Sequence, residues 1–341
     1  MTTVTLDAER SEAFAGRLAE VLNDAGLAVM ISIGHRTGLF DALAKSGATT
    51  SDDLARAAGL HERYVREWLG AMTTGRVVEL DPETRLYVLP AEHAAWLTRG
   101  APYNAAVTAQ FIPVLATVED DVVNAFRDGG GVPYERYGRF HEVMAEDSAQ
   151  SVVAALTDHI LPLVPGLTDR LEKGIRVADL GCGRGRALIE LARTYPRSTF
   201  TGVDLSEDAV AWATDAAAGL ENVRFEARSL ATFDAVHDQP APLALLKGIH
   251  RSLAKGGVYL MQDIDGHTHH HENLDLPFGT FLYAVSCLHC MTVSLAQGGE
   301  GLGTLWGVEK AEELLREAGF TQLELHRLEH DPVNVYVVAR P

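Results

Sequence analysis

Basic residues and long apolar runs are both scarce in this sequence. Its 29 lysines and arginines stand against 47 aspartates and glutamates, so the formal net charge is -18 at pH 7. A surface of this charge repels phosphate backbones and anionic lipid headgroups, so we expect neither nucleic acid nor a membrane as a partner. We identify no apolar run of membrane-spanning length and no basic-then-apolar leader, and we expect a cytoplasmic protein.

Cysteine is also rare, which argues against disulfides and metal clusters. The three cysteines, Cys182, Cys287 and Cys290, are too few for a disulfide framework. Cys287 and Cys290 have C-x-x-C spacing, but no second pair accompanies them, which leaves zinc or redox chemistry as a minor alternative. Four histidines between residues 267 and 271 fit a solvent-facing loop better than a metal site. We therefore expect no bound metal.

The chain is long enough for more than one well-buried domain. It has 341 residues, of which 47% are hydrophobic and 22% charged, as is usual for a globular protein. The pattern of elements divides it into three parts. We predict a winged-helix and dimerisation domain at 1–100, a helical linker and lid at 101–170, and an α/β domain of alternating strands and helices at 171–341.

The first part begins with a series of amphipathic helices. Residues 8–26 have the apolar spacing of one helix, and residues 28–44 that of another with a break near Gly38. Thr50 or Ser51 can cap the next, short helix, whose first turn is acidic and so suits the positive end of the helix dipole.

A helix-turn-helix followed by a hairpin completes the winged-helix pattern. Residues 61–75 form the second helix of the motif, and we predict that Tyr64, Leu69 and Met72 face inward. The alternating residues 77–89, turning at "DPET", indicate a hairpin. The second helix of such a motif can read DNA, but this one carries glutamates beside its arginines. We favour a module for dimerisation and for covering an active site.

The helical linker is interrupted by a glycine-rich stretch, "RDGGGVPYERYGRFHEVM". The aromatic residues just after the glycines suit a lid over a small-molecule pocket, although packing between helices explains them equally well. Tyr137, Phe140 and His141 are the candidates from this stretch for contact with a substrate.

The most informative stretch of the chain is a strand, a glycine-rich turn and a helix. The apolar strand "IRVADL" leads into Gly181-Cys182-Gly183-Arg184-Gly185, and a second strand ends at Asp204. Glycines at such a turn allow a ligand to approach the backbone, and an acid at the next strand end can bind ribose hydroxyls. The G-x-G-x-G spacing differs from the G-x-G-x-x-G of dinucleotide-binding domains, which remain the alternative.

This arrangement resembles the cofactor motifs of class I S-adenosylmethionine-dependent methyltransferases with an N-terminal winged-helix domain. The resemblance implies an α/β, Rossmann-like sheet of seven strands, S-adenosylmethionine as cofactor and S-adenosylhomocysteine as product. It implies cofactor contacts from the glycine turn, with Asp179 at the methionine end and Asp204 at the ribose. The predicted cofactor-binding residues are Asp179, Gly181, Cys182, Gly183, Gly185, Asp204, Leu205 and Phe233.

A His-Asp pair, His237-Asp238, resembles the catalytic site of plant-type O-methyltransferases, in which a histidine is the general base. Gln239 stands where that family has tryptophan, which puts the substrate class in doubt. A histidine also suits proton transfer near neutral pH, and the carboxyl end of a central strand faces the ligand crevice. We predict His237 as the base, whereas Asp238 is as readily a helix cap as an orienting partner.

The link in front of this pair is anomalously short. Only residues 228–232 separate Ala227 from Phe233, and they reach about 18 Å when fully extended. A parallel crossover past three strands usually needs a dozen or more residues. We therefore predict that residues are missing from this link.

The resemblance also implies a pocket for a small hydroxylated aromatic or lipophilic acceptor, and a homodimer. His289 and Trp306, in the segment after the apolar strand "VYLMQDI", are further candidates to line that pocket. N-, C- or arsenic methylation, the last using Cys287 and Cys290, remains an alternative, as does a winged-helix regulator that senses the cofactor.

Overall fold

The structure is a computed structural model in which residues 6–228 and 236–341 are described. The chain divides into two compact units, Met1–Pro113 and Val114–Pro341. Because the structure does not test the further division at residues 100 and 170, those boundaries stay a prediction.

The first unit has the predicted helical composition with a small hairpin. Its helices are α1 (Ala8–Thr37), α2 (Leu39–Ser46), α3 (Ser51–Ala58), α4 (Glu62–Thr74), α5 (Ala91–Leu97) and α6 (Ala105–Thr108). Strands β1 (Glu79–Leu80) and β2 (Tyr87–Val88) pair antiparallel, which confirms the hairpin around "DPET". The two N-terminal helices predicted separately are one continuous helix that ends at Gly38 in the left-handed conformation.

Thr50 caps α3 as predicted, because its hydroxyl oxygen accepts a hydrogen bond from the Asp53 amide at 3.2 Å. On α4 the prediction is right for Leu69 and Met72, which are fully buried, but wrong for Tyr64, which is 78% exposed. Val65 and Trp68 occupy the buried face instead. Tyr64 lies about a quarter-turn from Val65 on the helix, and its polar hydroxyl can remain in water there.

Two arginines of α4 pair with carboxylates of the same helix. Arg66 donates to both carboxylate oxygens of Glu62, at 2.8 and 2.6 Å, and Arg63 pairs with Glu67. A recognition helix binds DNA phosphates through arginines whose charge is free to face the backbone. Arg63 and Arg66 face carboxylates instead, which disfavours DNA recognition through this helix, whereas dimerisation stays a prediction.

The second unit contains helices and two three-stranded sheets. Helix α7 (Phe111–Leu115) spans the boundary between the units, and the helices after it are α8 (Glu119–Asp128), α9 (Phe140–Ser148), α10 (Leu167–Lys173), α11 (Arg186–Thr194), α12 (Glu207–Ala216), α13 (Pro242–Ser252), α14 (Gly279–Val285), α15 (Met291–Ala296) and α16 (Val308–Ala318). The strands are β3 (Arg176–Leu180), β4 (Thr199–Asp204), β5 (Val223–Ala227), β6 (Tyr259–Ile264), β7 (Gln322–Leu328) and β8 (Asp331–Arg340).

Strands β3, β4 and β5 pair in parallel in that order, and β6, β8 and β7 form an antiparallel sheet in that order. The α/β class and the closing antiparallel hairpin are therefore as predicted. The described residues hold six strands here, in two sheets. Most of the short link, and the start of the strand expected between it and His237, fall at residues 229–235, outside the described residues. The single seven-stranded sheet and the missing residues thus stay predictions.

One stretch of the second unit corrects the expectation about apolar runs. Gly279–Ala296 is 18 residues long, with a mean hydropathy of 1.4, and is apolar enough by length and composition to cross a membrane. It consists of α14, a π-helical turn at Ser286–Cys290, and α15. About 39% of it is buried within the structure, including Cys290 and Val293.

Candidate active site

The glycine turn after β3 lies beside the end of β4. The Gly181 amide donates to the Val203 carbonyl at 2.9 Å, so the turn continues the pairing of the two strands. Gly185 begins α11 with a φ of 62°, and a Cβ there would lie 2.2 Å from the ring of Phe225 on β5. Because neither the conformation nor the space suits a side chain, this position requires glycine.

Asp204 ties the turn to the following helix. One carboxylate oxygen accepts from the Gly183 amide at 2.6 Å, and the other accepts from the Ser206 amide at 2.9 Å. A Cβ at Gly183 would have open space around it. The predicted ribose-binding acid therefore holds a backbone that a ligand can approach.

Asp179 carries a carboxyl group with a perturbed pKa. Burial, together with the negative charge of Asp204, raises the pKa of Asp179 to about 7. The same two carboxylates and burial raise the pKa of the Cys182 thiol, which stays neutral. Two acids that face one site at the strand ends create a place where a cationic group is stabilised.

His237 is held by an acid that the sequence analysis did not identify. Its Nδ1 lies 2.7 Å from the Oδ1 atom of Asp263, which also accepts from the Ile264 amide at 2.8 Å. Both His237 and Asp263 are buried. The hydrogen bond to Asp263 fixes the ring and leaves Nε2 as the nitrogen that can meet a substrate.

Asp238 lies on the other side of the ring, with its Oδ1 atom 3.3 Å from Nε2 of His237. Burial alone would lower the pKa of His237, but the negative charges of Asp263 and Asp238 outweigh it and raise that pKa well above its usual value. A general base must be neutral to accept a proton, whereas these carboxylates favour the protonated ring.

Tyr137, Phe140, His141 and His289 form an aromatic cluster with Tyr134. The rings of Phe140 and His289 stack with centroids 3.7 Å apart, and Tyr137 meets His289 edge-on at 4.7 Å. The Tyr137 hydroxyl donates to the Leu288 carbonyl at 2.6 Å. The structure thus brings four of the five predicted pocket residues together.

The two histidines of this cluster are neutral. Burial is the main cause that lowers the pKa of His289 to about 3, and the nearby imidazoles of His141 and His237 lower it further when they are protonated. Within the described part of the chain, neither ring nitrogen of His289 has a hydrogen-bond partner. Burial also lowers the pKa of His141, against the charge of Asp204. This cluster therefore adjoins both His237 and the acids at the strand ends.

One of the predicted lid glycines, Gly131, is packed against α15. A Cβ at Gly131 would lie 1.9 Å from the Thr292 carbonyl oxygen, so glycine permits a close approach of two backbones. The neighbouring Val132 amide donates to the Thr292 hydroxyl at 3.0 Å. These contacts favour packing between helices as the role of the glycine-rich stretch. Its movement as a lid stays a prediction.

The remaining predicted residues are placed differently. Trp306 packs in a core cluster with Val236, Met261 and Leu315, and none of the ring contacts among the described residues joins it to the aromatic cluster. Leu205 follows β4 directly, beside Asp204. Phe233 lies outside the described residues. Asp263 could have been suspected because a carboxylate interrupts the apolar strand "YLMQDI" close to its carboxyl end.

Comparison with known proteins identifies both parts of the chain. Residues 25–99 match the family described as Rv2258c-like winged HTH domain, and residues 171–319 match a family described as methyltransferase domain. The glycine turn, Asp204 and the parallel order of β3, β4 and β5 agree with a methyltransferase domain. The chain thus combines an Rv2258c-like winged HTH domain with an S-adenosylmethionine-dependent methyltransferase domain, and its cofactor is S-adenosylmethionine.

Three relatives illustrate the similarity. Human N-acetylserotonin methyltransferase, solved with S-adenosylmethionine, is 17% identical, with 100% of this chain and 99% of that one covered and a TM-score of 0.67. Mitomycin 7-O-methyltransferase is 16% identical, with 98% and 100% covered and a TM-score of 0.63. Fatty-acid O-methyltransferase of Mycolicibacterium smegmatis is 36% identical over 103 residues, and the match spans 27% of this chain and 38% of that relative.

Proposed function

We propose that this protein transfers a methyl group from S-adenosylmethionine to an oxygen of a small lipophilic or aromatic molecule, with His237 as the general base. The observation that carries the proposal is the buried Asp263–His237 pair, whose Nδ1–Oδ1 distance is 2.7 Å. A buried histidine oriented by an acid of β6 suits deprotonation of a hydroxyl during methyl transfer.

The cofactor supplies a methyl group on a sulfonium centre, and the residues of this chain bind, orient and deprotonate around it. Asp179, Asp204 and the glycine turn would hold the cofactor. Asp263 would keep the His237 ring oriented, so that Nε2 can accept the proton of the acceptor hydroxyl. The positive charge of the bound cofactor would lower the pKa of His237 and so favour the neutral ring that a base needs.

The aromatic cluster supports an apolar acceptor. Tyr137, Phe140 and the neutral ring of His289 form a buried surface with few charges. Such a surface favours aromatic or aliphatic groups, and the unpartnered nitrogens of His289 can hold one polar group of the acceptor. The partial match to a fatty-acid O-methyltransferase agrees with a lipophilic acceptor.

A comparison of acceptors tests the role of His237. A hydroxyl must lose a proton during methylation, whereas a fatty-acid carboxylate is already ionised near neutral pH. His237→Ala should therefore lower the turnover of a hydroxylated acceptor by about 10²- to 10⁴-fold and affect a carboxylate acceptor much less. Turnover would be measured from S-adenosylhomocysteine release.

The solvent-exposed His267 provides a matched control, because it pairs with Glu309 and not with the buried acids. His267→Ala should leave both reactions near the wild-type rate. Thermal unfolding with S-adenosylmethionine would confirm that each variant folds and binds cofactor. Equal turnover of hydroxylated acceptors by wild type and His237→Ala would refute the general-base role.

We also propose that the protein is a cytoplasmic homodimer. The three cysteines are free, as a reducing compartment would leave them. Residues 6–26 are exposed throughout, and α1 carries Phe14, Leu18 and Leu22 on one side, each at least 49% exposed. Since exposed apolar stripes on helices are usually covered by a partner, a second copy of α1 is the occupant that we infer.

A further inference from the structure

We propose that His237, Asp238 and Cys290 form a binding site for a divalent cation of borderline softness, with Zn²⁺ as its type. The three residues are buried, and one donor atom from each lies within 4.8 Å of the other two. Nε2 of His237 and Oδ1 of Asp238 are 3.3 Å apart. Two metal bonds of about 2.0–2.2 Å at a tetrahedral centre span roughly 3.4 Å between their donors. Two of the three donors thus already have the spacing of zinc ligands.

Asp263 completes the surroundings of such a site. Its Oδ1 atom is 2.7 Å from Nδ1 of His237. Histidines that bind metals usually donate their other ring N–H to a carboxylate, which fixes the ring and makes the free nitrogen a better donor. Here the same contact directs Nε2 toward Asp238, away from Asp263.

The buried acids have oxygen atoms that no donor satisfies. Within residues 6–228 and 236–341, Oδ1 of Asp238 and Oδ2 of Asp263 have no hydrogen-bond partner. Asp238 and Asp263 are 7% and 5% exposed. A buried acceptor without a donor is costly. A cation bound by Nε2 of His237 and Oδ1 of Asp238 would give that Oδ1 atom a partner.

Cys290 determines which cation fits. Its thiol is buried at the end of the π-helical turn Ser286–Cys290 and interacts with the side chains of His237 and Asp238. A donor set of nitrogen, sulfur and carboxylate oxygen selects zinc or cobalt over calcium or magnesium. Three protein ligands also leave a fourth position open, as in catalytic zinc sites.

The sequence analysis predicted no metal because the C-x-x-C pair has no second pair. The structure places Cys290 instead with a His-Asp pair more than fifty residues earlier in the chain. Binding would release the thiol proton and any proton on Nε2 to solvent. The cation would occupy Nε2 of His237, the nitrogen that serves as base in the proposed function. If that function holds, Zn²⁺ would inhibit methyl transfer.

Cobalt spectroscopy of the full chain, freed of metal by a chelator, tests the site. Co²⁺ should bind one per chain, with a thiolate-to-metal band in the near ultraviolet and the intense visible bands of tetrahedral cobalt, and Zn²⁺ should remove both. Cys290→Ser should lose the thiolate band, whereas Cys287→Ser, which changes the other cysteine of the pair, should keep it. Asp263→Asn should weaken binding roughly 10–100-fold.

The outcomes separate this proposal from the proposed function. No thiolate band in the wild type, or a band lost in Cys287→Ser but kept in Cys290→Ser, would overturn the metal site. His237→Gln provides a second ligand deletion if Cys290→Ser does not fold, and it should also lose the tetrahedral bands. Chelator-reversible zinc inhibition is expected in the wild type. If no acceptor is ever methylated, the proposed function fails, while the cobalt spectrum still decides the metal site.

Discussion

Single residues carry most of the chemistry of this molecule, and Asp179 is the one whose protonation is most accessible to measurement. Its pKa is raised to about 7 by burial and by Asp204. The other titratable groups that interact with it, Cys182 and Tyr259, have raised pKa values and stay neutral in this range. Near neutral pH, therefore, a large share of the ligand-free protein carries an uncharged Asp179.

A cationic cofactor should bind the ionised form of Asp179 and displace this proton. Its affinity should rise as pH increases from about 5.5 to 7, by up to tenfold per pH unit, because fewer molecules then need to be deprotonated. Calorimetric titration with S-adenosylmethionine would measure the dissociation constant and the proton release. Asp179→Asn should bind more weakly and with little pH dependence, and a pH-independent wild-type affinity would contradict the assignment.

The stability of the ligand-free protein should change with pH in the opposite direction to the cofactor affinity. A carboxyl whose pKa is higher in the folded protein than in the unfolded chain binds more protons when folded. The ligand-free protein should therefore lose stability through Asp179 as pH rises from about 4 to 7. Binding of cofactor should oppose that loss.

Site residues could be predicted where neighbouring residues in the sequence form a recognisable motif. The glycine turn, Asp204 and His237 stand in recognisable order along the chain, and all three are placed as neighbours of strand ends. Asp263 was missed because its contact with His237 joins residues 26 positions apart. Only the packing of β6 against the turn at Val236–Asp238 reveals it.

At the scale of elements, the connection from β3 to α11 depends on the close approach of the Gly185 backbone to the ring of Phe225. Gly185→Ala would place a methyl group 2.2 Å from the Phe225 ring at a φ of 62°. We expect a loss of about 2–5 kcal/mol, from the left-handed conformation and from overpacking. Chemical denaturation monitored by circular dichroism would measure it.

Gly183→Ala is the matched control, because Gly183 also has a positive φ, 51°, but open space around its Cβ position. It should lose only the conformational part, about 1–2 kcal/mol. Adding Phe225→Leu to Gly185→Ala should recover part of the loss through the smaller side chain. Equal losses for the two glycine variants would show that the contact with Phe225 is unimportant.

Elements with strong local signals were predicted well. The Thr50 cap, the break at Gly38, the "DPET" hairpin and the closing strands are all set by nearby residues, and each is present. The inward position of Tyr64 was wrong because apolar spacing does not tell which of two adjacent residues faces the core. The continuity of α1 through Leu27 was missed because its two halves have different surroundings, the first exposed and the second packed on α4.

At the scale of the whole molecule, sequence patterns are least informative about how distant segments meet. The contact of Cys290 with the His-Asp pair, and the packing of Gly131 on α15, join residues separated by 52 positions or more along the chain. No spacing rule predicts such contacts, since they follow from the packing of helices over the sheets. The fold class was therefore predictable, whereas the composition of the site was only partly so.

The oligomeric state is a property of the whole molecule that α1 makes testable. Its first nineteen residues are exposed and carry an apolar stripe, and an isolated helix of that length is only marginally stable in water. Pairing with a second copy would bury the stripe and stabilise the helix.

Leu22→Glu, at a side chain that is 75% exposed, should convert the dimer to monomer in sedimentation velocity at micromolar concentration. Asn23→Glu introduces the same charge on the opposite side of the same helix and should leave the dimer intact. A wild-type monomer, or dissociation by both variants alike, would exclude this face as the interface.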